Sequence, residues 1–282
     1  MELLNKAVPL TMLTFVVSSM LAVGVSLTVG QILAPLRNGK LISLALLANF
    51  VLMPLAAIAI ARLLRLDEPL GVALLLLGAA AGAPFLPKLA GIAKGNLAFA
   101  VGLMVLLMVL TVGYMPLVLP LLLKDISVDP TKIARSLVLL MLLPLGAGLL
   151  AKARLSGLAD RIRTSLNRIS SLSLTLLIVL LLMTNVRNVI GLFGTRGILA
   201  SILFLAGGVG IGWLLGGPSF GTKGVLALGT AQRNIAAALV VGGQDFEDPK
   251  VLVMVVVVAV VGLVILMPLA RVLGTRNTVQ PS

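Results

Sequence analysis

Nine apolar stretches of about 20 residues, joined by short polar segments, take up nearly all of this chain. They run roughly over 8–34, 41–63, 70–92, 97–123, 133–151, 169–186, 197–216, 224–243 and 251–271. A helix needs about 20 apolar residues to cross the hydrocarbon of a bilayer. Nine crossings therefore claim ~180 of the 282 positions and leave no length for a second folded module. The chain is 60% hydrophobic and 11% charged, where a soluble domain is about 45–50% apolar and about 25% charged. Lipid must act as its solvent. The expected fold is an all-α polytopic membrane protein of about nine transmembrane helices. It forms one domain over 1–282, with halves at about 1–123 and 133–271 and a disordered tail over 274–282. The first stretch is too long for a signal peptide and lacks a small-x-small cleavage site, so it is read as a span.

Several chemistries are excluded at once. The glycine cluster Gly216–Gly224 lacks the spacing of a phosphate-binding loop. The chain has no histidine and no cysteine, which removes the usual zinc, haem and thiol chemistry. No cofactor, metal site or enzymatic activity is expected, while sodium coupling stays open. The formal charge of +13, from 22 Lys+Arg against 9 Asp+Glu, would suggest nucleic acid in a soluble protein. In a polytopic chain the partner is the bilayer, because Lys and Arg collect in cytoplasmic joints.

The joints orient the chain. With the N-terminus outside, the inner joints carry eleven cations and Asp160 as their only acid. The outer joints carry nine cations and the other eight acids. The long basic joint Lys152–Arg168 decides the matter, since it lies inside only in this orientation. A plasma (bacterial inner) membrane protein with its C-terminus in the cytoplasm is expected.

Two cations, Lys88 and Arg233, are left inside apolar segments, and both sit where helical character fails. Segment 79–88 holds Gly82, Pro84 and Pro87, and prolines three apart remove amide donors. Segment 229–234 reads Gly229-Thr230-Ala231-Gln232-Arg233-Asn234, with three polar side chains in succession at mid-span. An interrupted apolar segment in each half is the pointer to an inverted-repeat transporter. Irregular backbone at that depth is tolerated only against protein or a watery cavity. Both segments are expected to be non-helical and to touch.

Four stretches resemble motifs of the bile acid:sodium symporter family. Gly24-Val25-Ser26-Leu27-Thr28 is similar to its "GxxLT" helix end. Ala48-Asn49-Phe50-Val51-Leu52-Met53-Pro54 is similar to "AQFxxMP". Gly82 to Asn96 resembles the "PGGxxSNxxTxLAxGN" crossover, and Gly229 to Ala237 resembles "ExGxQNxxLA". The resemblance implies inverted repeats, a panel and a core domain, and two broken helices crossing in the core, in the nine-helix form. It also implies where sodium ligands belong, and there the chain departs. Leu86 and Pro87 stand at the Ser-Asn positions, and Met104 and Met108 at those of helix hydroxyls. Gly229, Arg233 and Asn49 stand at the positions of the Glu and the two Gln. Methionine and leucine offer no hard oxygen, and a guanidinium repels a cation.

The expected function is therefore secondary transport of a small organic anion by alternating access, without the usual sodium sites. A sodium-coupled symporter with remodelled ligands is the alternative within transport, and a non-transporting receptor or scaffold is the alternative outside it. Arg233, Asn234, Gln232, Lys88 and Asn49 are the candidate substrate-binding residues. Each has a plainer reading: a snorkelling or helix-capping cation for Arg233 and Lys88, an interhelical hydrogen bond for the amides. Pro84, Pro87, Gly82 and Gly229 are expected to shape the crossover. Gly208-Val209-Gly210-Ile211-Gly212 is read as a close-packing face. Substrate identity and oligomeric state are not legible.

Overall fold

The computed structural model describes residues 2–33, 38–123, 129–186 and 196–277, with side chains described over 7–276 within them. Arg37, Lys124 and Arg187 of the charge count lie outside the described residues. All regular structure among those described is helical. The elements are α1 (Glu2–Ser26), α2 (Val29–Leu33), α3 (Gly39–Leu63), α4 (Glu68–Ala79), α5 (Leu86–Ile92) and α6 (Leu97–Leu122). After them come α7 (Pro130–Arg154), α8 (Ser156–Thr184), α9 (Gly197–Leu215), α10 (Phe220–Ala231), α11 (Ile235–Asp245) and α12 (Pro249–Asn277).

Eight segments of the described chain are long and apolar enough to cross a membrane, and Glu68–Ala79 is a shorter apolar helix. It and α5 cover the stretch expected as one span over 70–92, which is broken between Ala79 and Leu86. Local chemistry starts several helices. Asn38 caps α3 by accepting from Leu41 N, Asn96 caps α6 through Phe99 N, and Asp129 caps α7 with Pro130 in the first turn. The π-helical turns Ala48–Leu52 in α3 and Val138–Leu142 in α7 each run up to a proline, Pro54 and Pro144, in the following turn.

α1, α7 and α8 form one packed group. Gly24 of α1 faces Gly148 of α7 so closely that a Cβ on Gly24 would meet Leu145 O at 2.4 Å. Small residues let apolar helices approach backbone to backbone, which is how they associate in lipid. The second group holds α3–α6 and α9–α12, with α9 packed along α10. Gly208 and Gly212 make that contact, a Cβ on Gly212 falling 2.4 Å from Leu226 O, while Gly210 of the expected face has nothing within 4 Å.

Four boundaries differ from expectation. α1 stops at Ser26, and the short α2 follows it within the stretch expected to be one span. α8 begins at Ser156, so most of the basic joint forms the first three turns of the next helix, its long cationic side chains able to reach the headgroups. The breaks are shorter than 79–88 and 229–234: helix ends at Ala79 and resumes at Leu86, and ends at Ala231 and resumes at Ile235. α12 continues to Asn277, so 274–277 of the expected tail is helical, and Gly274 packs against Ile92 O. Residues 278–282 lie outside the described residues.

Candidate functional site

The first break exists because Gly82 takes a φ of +80°, open to glycine at little cost. Its backbone lies flat on α6, where a Cβ would fall 2.2 Å from Met108 N. Thr111 of α6 fixes the same loop from both sides. Its Oγ1 accepts from Ala81 N at 3.0 Å and donates to Ala81 O at 3.1 Å. Pro84 and Pro87 flank the new start at Leu86, and Pro87 sits in the first turn, where its missing donor is an orphan anyway.

The second break crosses the first. Asn234 N donates to Ala80 O at 2.9 Å, and the Asn234 side chain accepts from Ala237 N and caps α11. Its amide nitrogen is buried with no hydrogen-bond partner among the described residues. Next to it, Arg233 is 2% exposed and all five of its donors are used. Nε donates to Leu77 O at 2.8 Å and Nη2 to Gly78 O at 2.7 Å. Nη1 donates to Asn49 Oδ1 at 2.7 Å and to Thr230 O at 3.1 Å, and Nη2 also reaches Asn49 O at 3.5 Å. Leu77 and Gly78 end α4, and Thr230 ends α10. Their carbonyls are the orphan acceptors at the negative poles of two broken helices. One guanidinium thus closes both helix ends. The π turn of α3 turns Asn49 toward it, steadied by Tyr114, whose hydroxyl donates to Phe50 O.

The positions that the resemblance matches to the other sodium site are hydrocarbon. Leu86, Met104 and Met108 are buried. A Cβ on Gly229 would meet Leu86 Cδ2 at 2.8 Å, so the leucine fills the space beside the glycine.

A cavity of about 330 Å³ lies between the two helix groups. The crossover contributes Ala83, Pro84, Phe85, Gln232, Arg233, Ile235 and Ala236; α12 adds Ala259 and Leu263. α1 adds Phe15, Ser19 and Val23, and α8 adds Asn167, Ser170, Ser171, Leu174 and Thr175. The lining runs from mid-helix toward the ends on the side of Lys152–Arg168. At the opposite end the groups are joined: Lys132 Nζ of α7 meets Asp245 Oδ1 of α11 at 3.2 Å and also donates to Gln244 O. The Asp245 side chain is 3% exposed, and its Oδ2 is buried without a hydrogen-bond partner among the described residues.

The structure gathers Arg233, Asn234, Gln232 and Asn49 at the crossing. Gln232 and Arg233 line the cavity, whereas Asn49 and Asn234 are wholly buried at its back. The Gln232 amide has no hydrogen-bond partner among the described residues. Lys88 is exposed on α5, its Nζ 5.2 Å from the ring centroid of Phe85, which lines the cavity. Sequence reasoning passed over Ser19, Asn167, Ser170, Ser171 and Thr175. Their signal was present on α8, where positions 167, 170, 171, 174 and 175 repeat at helical spacing along one face.

A curated protein, the probable sodium/metabolite cotransporter BASS2, chloroplastic, of Oryza sativa subsp. japonica, is 26% identical to this chain over 238 residues. The alignment takes in 83% of this chain and 57% of that protein, so the chain spans little more than half the length of this relative. The profile of the Sodium Bile acid symporter family matches residues 12–192, from within α1 to beyond the end of α8; this integral membrane protein belongs to that family.

Proposed function

We propose that the chain is a secondary transporter that moves a small organic anion by alternating access and does so without sodium. The observation that carries this reading is the cage around Arg233. Half-helix C-terminal ends and unwound carbonyls are the groups with which transporters of this architecture hold a coupling cation. Here the same kind of oxygens hold a guanidinium that belongs to the chain, a fork of donors in place of a bound ion. Leu86, packed on Gly229, supports the same reading at the second position.

The anion is proposed to enter the cavity between the helix groups. There it meets the open amide of Gln232 and the N-terminal end of α11, a favourable place for negative charge. Arg233 adds its field from behind that wall, Asn234 holds the cap, and Asn49 holds the guanidinium. Lys88 draws anions to the mouth. Asn167, Ser170, Ser171 and Thr175 offer hydrogen bonds from α8. In the proposed orientation, N-terminus outside, the cavity opens to the cytoplasm and the Lys132–Asp245 pair closes the outer end. The reading involves no covalent step. The name of the rice relative supports the alternative, a sodium-coupled carrier.

The test is the affinity for small organic anions, screened by thermal shift, with sodium exchanged for choline at constant ionic strength. The affinity should change by less than tenfold. A tenfold or greater loss without sodium would restore the sodium-coupled reading.

A further inference from the structure

The remaining candidates, a shallow outer cavity beside Arg62 and Glu68 and the basic inner rim, show no side chain arranged for a particular ligand. The cavity and its cage carry more. We infer that the protein is an electrogenic anion uniporter, in which each cycle moves one substrate anion and no co-ion. An inside-negative membrane then drives the anion out of the cell. This rests on the sodium-free reading above and adds the stoichiometry, the driving force and the direction.

A neutral cycle needs a second charge to travel, and the described residues offer it no seat. Sodium meets the Arg233 guanidinium at one position and Leu86 with Met104 and Met108 at the other. A proton coupled directly at the substrate needs a titratable group in the cavity. Among the described residues Arg233 is the only ionisable one lining the cavity, and its donors are all spent on the cage. The described acids stand at helix ends or in joints, away from the cavity; Asp245, the one with a buried side chain among them, is held by Lys132 at the far end, and the one tyrosine, Tyr114, spends its hydroxyl on Phe50 O.

Obligatory exchange is the other neutral cycle. It arises when the unloaded carrier cannot turn over, as happens if substrate is needed to compensate a buried charge. Here Nε, Nη1 and Nη2 are all bonded to oxygens of Asn49, Leu77, Gly78 and Thr230. The cage compensates the cation with no contribution from substrate, so the unloaded carrier is free to reorient. Arg233 returns to its starting place each cycle and adds nothing to the charge moved. What remains is the charge of the anion.

The experiment uses the full chain in proteoliposomes with choline in place of sodium on both sides. Valinomycin with unequal potassium sets the voltage. ¹⁴C-labelled pyruvate, 2-oxoisovalerate and pantoate are assayed separately at equal concentrations inside and out, with protein-free vesicles subtracted. For a monoanion, an inside-positive potential should accumulate the label about tenfold for each 59 mV, and the reverse potential should expel it equally. Efflux into medium free of the anion should proceed without exchange partner. Sodium-free flux that ignores voltage, or that stops without external anion, overturns the uniport and leaves the sodium-free reading standing. Flux seen only with sodium overturns both. Absence of flux for all three anions under every condition overturns the transport reading itself.

Discussion

Nη1 of Arg233 lies 2.7 Å from Oδ1 of Asn49, a buried hydrogen bond between residues 184 positions apart. It ties the second half of the chain to the π turn of the first. Asn49 Nδ2 also reaches Thr230 Oγ1 at 3.3 Å, so the contact is doubled. The pair makes the crossing a single hydrogen-bonded unit, and stability and binding properties should both respond to it.

Arg233→Gln should destabilise the protein by about 3 kcal/mol or more, because several buried oxygens lose their donor at about 1–3 kcal/mol each. Thermal unfolding in detergent checks this. Adding sodium should leave the Tm of the unmodified protein unchanged and should not rescue this single variant. Arg233→Lys should fall between the two, as one ammonium replaces a fork of five donors.

Gly229→Glu should be poorly tolerated alone, since its Cβ would meet Leu86 Cδ2 at 2.8 Å. Leu86→Ala in the same chain should recover part of the loss in Tm. A variant with both changes and Arg233→Gln should show sodium-dependent thermal stabilisation. Arg233→Gln with Gly229→Glu, leaving Leu86 in place, should show much less.

Truncating the α8 stripe should weaken anion binding without unfolding the protein, because Asn167, Ser171 and Thr175 are exposed. Each of Asn167→Ala and Ser171→Ala should lower affinity by about 2- to 12-fold, the worth of one hydrogen bond of about 0.5–1.5 kcal/mol. Isothermal titration of the same anion against each variant is the measurement.

The Lys132–Asp245 ion pair, at the end away from Lys152–Arg168, should act as a latch. Lys132→Cys with Asp245→Cys, oxidised in this cysteine-free chain, should arrest flux, and reduction should restore it. Asp245→Asn should lengthen the distance between spin labels placed across that end. An unaltered distance distribution would argue that the pair holds nothing shut.

Single-cysteine labelling settles the orientation. Ser156 is exposed at the start of α8, and Ser156→Cys should react with an impermeant thiol reagent only in inverted vesicles. Labelling in intact cells would reverse every statement about inside and outside.

Hydropathy was enough to place eight of the nine expected spans as long apolar helices, because a bilayer demands length and apolarity before anything else. Pro84, Pro87 and the triplet Gln232-Arg233-Asn234 located both breaks for local reasons. They overstated their length, since a proline in a first turn, as Pro87 is, starts a helix as readily as it ends one. The partners of Arg233 were not legible. Four of its five acceptors are backbone carbonyls, which carry no residue signature. Leu86 against Gly229 and Lys132 against Asp245 escaped for a related reason: each joins positions far apart in the chain, and neither member is unusual alone. The serines and threonine of α8 lay in plain view, yet which face of a helix meets a cavity is decided by its neighbours.

Leu86 resting on Gly229 has a consequence for how such a chain can change over generations. On the sodium-free reading proposed above, passing from this arrangement to one that binds sodium takes at least three substitutions, at Leu86, Gly229 and Arg233, and none of them helps alone. A glutamate at 229 collides with the leucine, a smaller residue at 86 leaves a void, and a neutral residue at 233 strips buried carbonyls of their donor. Each single step descends in stability before any gain appears. The contact works as a ratchet: a lineage that acquires it keeps its tethered cation, whatever the salt of its surroundings.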